Sequence, residues 1–475
     1  MLHRGEIVTL NIEGYAFGGK GIAKIPMDGS HFVVFVDNAF PGQVVSAKIS
    51  TKRKNHAEAK LVEVIKRAPC EKISEFQEIS GAPYLFVPEE LQRAMKSEST
   101  LSTFSKISGQ KNMERLFDEY IASPSSYFYR NKMEYSFSSI EHIAETGEEL
   151  DNAFALGFKR RGTWWKVENL NRPSGLFDQE WESQLPILRT FLQDSQLPAW
   201  HPPQKKGFFR HIIVRKSFKD DRLLVHLVTS SKGIKSFNAP SFVAKLLELH
   251  GERIAGVQHT VNDEVADRSK IENGRTMQLF GSPWVEEILL GLTFQMRMES
   301  FFQTNPKCAE LLYQKAIDYL LEDLNDGEEI LDLFCGTGTI AQLIAQRKKE
   351  EKISGVDLVA EAIEDAKENA LKNGLSNVSF YASDVGKFLK EHPHLEGKIA
   401  AVVLDPPRAG IAPKTLLKTI GLGARRIVYI SCNPSTQARD ASILFEAGYS
   451  LEKFSLVDQF PHTGHIESIA KFIKK

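Results

Sequence analysis

The stretch Leu331-Asp332-Leu333-Phe334-Cys335-Gly336-Thr337-Gly338-Thr339 decides the fold. An apolar strand runs into two glycines, and a helix-forming run begins near Thr339. Glycine lets the backbone approach a ligand closely and supplies positive φ. Working outward from this loop, the pattern from about residue 301 onward alternates. A helix over 307–323 precedes strand 329–334. Helix 339–347, strand 352–357, helix 360–373 and strands 378–381 and 399–404 follow. Helix 413–422, strand 426–431, helix 434–447 and strands 449–458 and 466–472 complete the chain. Such alternation predicts a parallel sheet covered on both faces, an α/β Rossmann-like domain. A chain ending on a strand allows an antiparallel final hairpin.

A lone G-x-G is an ordinary tight turn as often as a ligand loop. Two carboxylates add weight here. Asp357 ends the next strand, about twenty residues on, where a carboxylate can bind both ribose hydroxyls. Asp384 follows the third strand, in Tyr381-Ala382-Ser383-Asp384, where an adenine edge would lie. The loop lacks the lysine of a P-loop and departs from G-x-G-x-x-G, which disfavours a triphosphate and a dinucleotide. An adenosyl ligand without phosphates remains, namely S-adenosylmethionine.

Asp405-Pro406-Pro407-Arg408 ends the fourth strand, on the crevice edge of an open α/β sheet. Its prolines stiffen the loop. The carboxylate would meet the cofactor or a substrate base; a purely structural turn is the plainer reading. Cys432 ends the fifth strand, in Ile430-Ser431-Cys432-Asn433-Pro434. A lone cysteine is usually buried and inert. This one lies among the crevice loops, where a thiolate is a strong nucleophile. Cys335 reads as small and packed within the cofactor loop, and Cys308 as core. Glu467, in His462-Thr463-Gly464-His465-Ile466-Glu467, is a candidate base beside two histidines, or simply a charge that solvates a strand edge.

Residues 1–67 read as five short strands (6–12, 21–25, 32–36, 43–48 and 57–65) separated by Gly-, Pro-, Asp- and Asn-rich turns, among them Met27-Asp28-Gly29. That spacing predicts a small OB-like β-barrel. Residues 1–70 carry ten Lys or Arg and six Asp or Glu. With Lys52-Arg53-Lys54-Asn55 in a connection and Tyr15 and Phe17 expected to be exposed, the barrel suits RNA. A solvated basic face on a plain barrel is the alternative. Residues 89–120 look helical, with Leu91, Met95, Leu101, Phe104 and Ile107 at three-to-four spacing and Gly109 as a possible break. Residues 125–297 mix strands and helices, an α+β region whose function is poorly written in the sequence. Arg130, Lys132, Arg160, Arg161, Arg210, His211 and Arg215 would form a basic cleft there, or would simply be surface charges.

These residues resemble the RNA uracil-5 methyltransferase family, which makes 5-methyluridine in ribosomal and transfer RNA. The resemblance rests on Ser300-Phe301-Phe302-Gln303-Thr304-Asn305, the Asp332–Gly338 loop, Asp405-Pro406-Pro407-Arg408, Ser431-Cys432-Asn433-Pro434 and His462–Glu467, in that order. It covers nearly the whole chain. Residues 1–67 look like the TRAM domain, an OB-like RNA-binding barrel, and Tyr129-Arg130-Asn131-Lys132 looks like a family segment of a central domain over 68–297. The catalytic domain would span 298–475, with the 89–120 segment as a candidate to pack on it. By this match Gln303, Phe334, Asp357 and Asp405 bind S-adenosylmethionine, Cys432 is the nucleophile and Glu467 the base; the reading of the loops adds Gly336, Gly338 and Asp384 to the cofactor site. Many relatives carry a four-iron, four-sulfur cluster on four cysteines near the central domain. Here Cys70 stands alone in that region, and one thiolate cannot hold such a cluster, so none is expected.

The bulk composition is compatible with this and excludes other classes. The 475 residues are 42% hydrophobic and 25% charged, which excludes a disordered chain. The net charge of -1 gives no global nucleic-acid signal. Four scattered cysteines argue against a disulfide framework and for a reducing compartment. Without an apolar leader or a run of about 18 apolar residues, the expected address is the cytoplasm with no membrane partner. The expected partner is RNA, ribosomal RNA ahead of transfer RNA because transfer-RNA members commonly lack the barrel. A monomer is the default. Two alternatives stay open: a non-catalytic RNA-binding assembly factor, and a methyltransferase acting on an exocyclic amine.

Overall fold

The computed structural model describes residues 2–27, 30–264, 274–325 and 327–475. The turn residues Asp28 and Gly29 therefore lie outside the described residues. By its internal contacts the chain divides into two units. The first comprises Met1–Glu89, Ser125–Glu287 and Met296–Glu299; the second comprises Glu90–Pro124, Ile288–Gln295 and Ser300–Lys475. This division differs from a chain cut at 67 and 297, because residues 90–124 pack with the C-terminal part.

In the first unit, residues 7–66 form a six-stranded sheet rather than one of five strands. The added strand is Gly14–Ala16, which pairs with Lys20–Met27 as a tight hairpin. Alternation along Val44–Lys52 and His56–Lys66 turns Val45, Ala47, Ala57, Ala59 and Leu61 into a small core. Tyr15 and Phe17 are half-buried, not exposed as the sequence suggested; the Tyr15 ring meets Tyr84 edge-on.

The remainder of this unit is a seven-stranded sheet. Its order runs Val167–Asn169, Glu149–Lys159, Lys132–His142, Phe209–Lys216, Leu223–Thr229, Ile254–Val261 and Arg275–Gly281. Trp181, Leu185 and Leu188 of helix Gln179–Gln193, and Phe242 and Leu246 of helix Ala239–His250, bury against it. The expected basic cleft is not a continuous open surface. Arg210 is fully buried, stacks over Trp200 at 4.3 Å and donates to the carbonyls of Asn262 and Glu264 at 2.7 and 2.8 Å. His211 and Arg215 are buried as well, and Arg160 is paired with Glu168 at 2.8 Å. Charge alone does not tell a buried arginine from a solvated one, since the long side chain can satisfy carbonyls inside a fold.

The second unit holds the α/β sheet. Its elements include helix α1 (Glu89–Ser108), strand β1 (Phe117–Ile121), helix α2 (Pro306–Leu321), β2 (Glu329–Leu333), helix α3 (Thr339–Arg347), β3 (Ile353–Asp357), β4 (Val378–Ala382), helix α4 (Val385–Glu391), β5 (Ile399–Leu404), β6 (Arg426–Ser431), helix α5 (Pro434–Glu446), β7 (Tyr449–Val457) and β8 (Glu467–Lys474), with further helices at Met113–Leu116 and Pro413–Gly421. The order is β4-β3-β2-β5-β6-β8-β7-β1. Strands β2 to β6 run parallel, and β8 is antiparallel to both β6 and β7. Every residue of β5 and β6 is buried, as expected of central parallel strands covered on both faces.

The 89–120 region is only partly helical. Helix α1 ends at Ser108, and Gly109 follows at φ 72°, the left-handed conformation that closes helices. Residues 117–121 then form β1, which pairs in parallel with β7 through Leu456↔Tyr120 and Val457↔Ile121. Pairing with a distant strand overrides the local helical pattern. The buried stripe of α1 also differs from the apolar one. Gln92, Lys96, Thr100, Phe104 and Ser108 face inward, while Leu91 and Ile107 are exposed.

Candidate active site

In an open parallel sheet the carboxyl ends of the strands form the crevice that receives ligands. Strand β2 leads there into Phe334 and the glycine loop, β3 ends on Asp357, β4 leads to Asp384, β5 to Asp405 and β6 to Cys432. Strand β8 runs the other way, so its first residue, Glu467, lies on the same edge. The register Ser431↔Ser468 puts Cys432 and Glu467 at the ends of adjacent strands.

The glycine loop has a strict backbone. Gly338 is the N-cap of α3 at φ 71°, and a Cβ there would lie 2.4 Å from the Phe380 ring. Phe334, although not glycine, is held at φ 69°. Asp357 ties the loop down: its two carboxylate oxygens accept the N–H groups of Gly336 at 3.0 Å and Val359 at 2.9 Å. Carboxylate oxygens have lone pairs to spare, so ribose hydroxyls can still bond there. Asp384 accepts the Lys387 N–H at 2.8 Å as the N-cap of α4. Leu358, Val359 and Tyr381, from the ends of β3 and β4, are exposed apolar side chains on this edge. The sequence reading did not single them out. Their exposure at strand ends is legible only in the fold, and it offers an apolar seat for a flat heterocycle. The loop, the Asp357 carboxylate and this apolar rim thus fit an adenosyl ligand.

Asp332, one strand turn before the loop, is fully buried and accepts the Ala341 N–H at 3.0 Å. Burial, then the neighbouring Asp405, push its carboxyl up to about 8. Burial pushes Asp405 up to about 7.

The Cys432 thiol is half-buried. Burial first and the Glu467 carboxylate second push it up to about 11, while the Arg408 guanidinium beside it pulls the other way through charge and a hydrogen bond. Glu467 is buried, and burial followed by Asp405 holds its proton well above the usual carboxylate range; Arg408 again opposes this. Cys432, Glu467, Asp405 and Arg408 therefore form one electrostatically linked cluster. Arg408 is itself anchored, its carbonyl accepting from Asn433 Nδ2 at 3.0 Å and Thr436 Oγ1 at 3.2 Å. The arrangement can move a proton between a thiol and a carboxylate beside a cation. Cys335 packs against Gly355 within the cofactor loop, and Cys308 is buried in α2.

The loop between β7 and β8 is held from two directions. Gln459 Nε2 donates to Gln303 Oε1 at 3.3 Å and to the Asn305 carbonyl at 3.1 Å, so Gln303 is bonded to the loop that leads to Glu467. Asn305 also caps α2 through the Cys308 N–H at 3.2 Å. From the other direction, α1 holds Asp458 and His462 through Lys96 and Gln92. Gln303 and Asn305 belong to a motif already singled out, whereas Gln92, Lys96 and Gln459 carry no sequence signal. These supports join residues far apart along the chain.

The tRNA (Uracil-5-)-methyltransferase family model matches residues 286–475, and the TRAM domain model matches residues 2–62. An uncharacterized RNA methyltransferase of Clostridium tetani is 34% identical over 478 residues, spanning 100% of this chain and 99% of that protein. The chain belongs to the RNA uracil-5 methyltransferase family. A second uncharacterized RNA methyltransferase, from Caldanaerobacter subterraneus subsp. tengcongensis, is 35% identical over 474 residues, 98% of each chain. The crystal structure of Pyrococcus abyssi tRNA (uracil-54, C5)-methyltransferase in complex with S-adenosyl-L-homocysteine superposes with a TM-score of 0.69 at 22% identity. It covers 98% of this chain and 100% of that one. This protein is thus an RNA methyltransferase with an N-terminal TRAM domain, built on the S-adenosylmethionine-dependent methyltransferase fold.

Proposed function

We propose that this enzyme methylates carbon 5 of a uridine in RNA, with S-adenosylmethionine as donor, through a covalent bond between Cys432 and carbon 6 of the base. The observation that carries this reading is the pairing of a thiol and a buried carboxylate, Cys432 and Glu467, at adjacent strand ends beside Arg408.

In this reading Gln303, Phe334, Gly336, Gly338, Asp357, Asp384 and Asp405 hold the donor, which supplies an electrophilic methyl group. Carbon 5 of uracil is a weak nucleophile. The Cys432 thiolate adds to carbon 6, and the electron pair of the 5,6 double bond passes towards the carbon 4 oxygen as an enolate. The enolate makes carbon 5 nucleophilic enough to accept the methyl group, with the methyl–sulfonium bond breaking to leave S-adenosylhomocysteine. Glu467, in its ionised form, then takes the carbon 5 proton, the double bond reforms, and the carbon–sulfur bond breaks to return the thiolate. Splitting one hard step into easier ones is what a covalent intermediate contributes. The base must leave any stack to reach the sulfur, which costs a few kcal/mol and less in a loop. Contacts from the barrel (residues 1–67) and the central region (68–297) would offset that cost.

Ribosomal RNA is the first reading, from the N-terminal barrel, but the barrel does not separate the two RNAs, since the Pyrococcus abyssi tRNA methyltransferase aligns over 98% of this chain. Transfer RNA is the second reading, favoured by the name of the matching family model. The scattered thiols suit the cytoplasm, and a monomer is the simplest active form. The reading is tested by mass spectrometry of ribosomal and transfer RNA from cells lacking the protein, which should lack 5-methyluridine at one or more positions. In vitro, Cys432→Ala should abolish methyl transfer while still binding the donor, and Glu467→Gln should accumulate a slow-migrating RNA–protein species on a denaturing gel. Full turnover by Cys432→Ala would eliminate the covalent route and leave the exocyclic-amine alternative.

A further inference from the structure

A cavity of about 450 Å³ opens in the first unit, lined by Arg67, Lys72, Ile73, Phe76, Phe86 and Arg172 together with Glu71, Ser74 and Glu78. Its volume lies within the range of small-ligand sites. It is formed by the segment that joins the barrel to the seven-stranded sheet.

The two carboxylates in its wall are already neutralised. Glu71 accepts from Arg67 at 2.9 Å, from the Ala68 N–H at 2.7 Å and from Gln43 Nε2 at 2.9 Å. Glu78 is paired with Arg67 at 2.7 Å and with Arg161 at 3.8 Å. Lys72 and Arg172 are exposed and form no ion pair among the described residues, so the cavity carries two surplus cations.

The apolar part of the wall is rigid. The Phe76 ring lies 5.0 Å from Tyr127 and 5.4 Å, edge-on, from Phe128. Gly175, at φ 76°, leaves it no slack, for a Cβ there would be 2.7 Å from the ring. The Arg67 guanidinium covers Phe86 at 3.9 Å. The backbone is stapled too. Gln77 donates to the Asn169 carbonyl at 2.7 Å and accepts the Asn171 and Arg172 N–H groups at 2.9 and 3.2 Å. Ile73 is wholly exposed at the rim. A preformed aromatic wall beside two cations that form no ion pair among the described residues, the Arg172 guanidinium donating only to the Glu75 carbonyl at 3.5 Å, is the chemistry that holds a nucleobase and its phosphate.

We propose that this cavity is a second RNA site, which takes one unpaired nucleotide other than the uridine that reacts. Its base lies against the Phe76–Phe86 wall and its phosphate meets Lys72 and Arg172. The proposal rests on the reading of the protein as an RNA-modifying enzyme. It adds a contact that would select substrates presenting an unstacked nucleotide besides the target.

The test uses the full chain and the double substitution Lys72→Glu, Arg172→Glu, both at exposed positions. The probes are the RNA that the wild type methylates, a single-stranded RNA pentamer and a nucleoside 5′-monophosphate. In the double variant, affinity for the methylated RNA should fall about tenfold or more, and the slope of log affinity against log salt should flatten by about two. The turnover rate at saturating RNA should stay as in the wild type. A pentamer containing 4-thiouridine should photo-crosslink to the peptide that carries Ile73, Phe76 or Phe86. Wild-type RNA affinity and salt slope in the double variant would overturn the proposal. So would a monophosphate that binds the wild type and is lost in the variant while RNA affinity is untouched, which would make the cavity a free-nucleotide site. Failure of the methylation reading looks different: the wild type would then methylate no RNA at all.

Discussion

Lys96 Nζ lies 2.7 Å from Asp458 Oδ1, and its side chain is almost wholly buried. The pair joins α1 to the loop that follows β7. Lys96 also donates to the Phe460 carbonyl at 3.1 Å, and Tyr120 donates to the second Asp458 oxygen at 2.9 Å. One turn earlier in the helix, Gln92 accepts the His462 N–H at 2.9 Å and meets His462 Nδ1 at 3.2 Å, with His462 held at φ 63°. A helix placed early in the chain thereby fixes the path that delivers Glu467.

Removing one member of a buried ion pair leaves the other charge without compensation. Lys96→Met should therefore lower the unfolding free energy by about 3 kcal/mol in urea titrations. Adding Asp458→Leu should restore much of that loss, because the pair is then replaced by apolar groups. Strictly additive losses in the double variant would mean that the two residues are not coupled.

Arg408 opposes the three influences that raise the Cys432 thiol, burial, Glu467 and Asp405, and it does so next to the sulfur. Since the thiol is pushed up to about 11, kcat/KM should climb with pH across the neutral range as the thiolate fraction grows. Arg408→Gln should cut kcat/KM about tenfold at pH 7.5, the effect of roughly one pKa unit. The variant should follow a pH profile displaced upward. Identical profiles for the two proteins would detach Arg408 from the thiol.

Asp332 keeps its proton up to about 8 in the folded protein, whereas an unfolded aspartate loses it near 3.9. Between those values the folded state binds more protons than the unfolded one, so stability falls as pH rises, by at most about 1.4 kcal/mol per unit for this group. Asp332→Asn removes that dependence. The stability of the variant relative to the wild type should therefore improve from pH 5 to pH 8 in paired urea titrations. A constant difference across that window would show that Asp332 does not carry the dependence.

Gly338 and Gly336 both have positive φ, but only Gly338 lacks room for a side chain. Gly338→Ala should weaken donor binding by calorimetry at least about tenfold, because the loop must shift away from Phe380. Gly336→Ala, with open space around it, should meet only the strain of its backbone, about 1 kcal/mol. Equal effects at both positions would argue that backbone strain alone governs the loop.

Much of this was legible beforehand, for physical reasons. The parallel core reads clearly because β5 and β6 are short, uninterrupted apolar runs between helices of regular period. Cys432 and Glu467 stand out because reactive side chains at strand ends break that apolar pattern. The strand at 117–121 was hidden because its partner, β7, is remote and the preceding helix imposes its own period. The inward face of α1 was hidden because Gln92, Lys96 and Thr100 are polar, and their burial follows from partners elsewhere in the chain. Arg210 and Arg215 were misplaced for the same reason.

Strand β1 is made long before β7, the neighbour that completes it on the sheet. At roughly 5–20 residues per second, a nascent chain would carry this unpaired edge, and the half-apolar helix ahead of it, for tens of seconds while the intervening residues emerge from the ribosome. The catalytic half cannot mature from its own carboxyl-terminal stretch alone. Its assembly waits for the last strands to be translated.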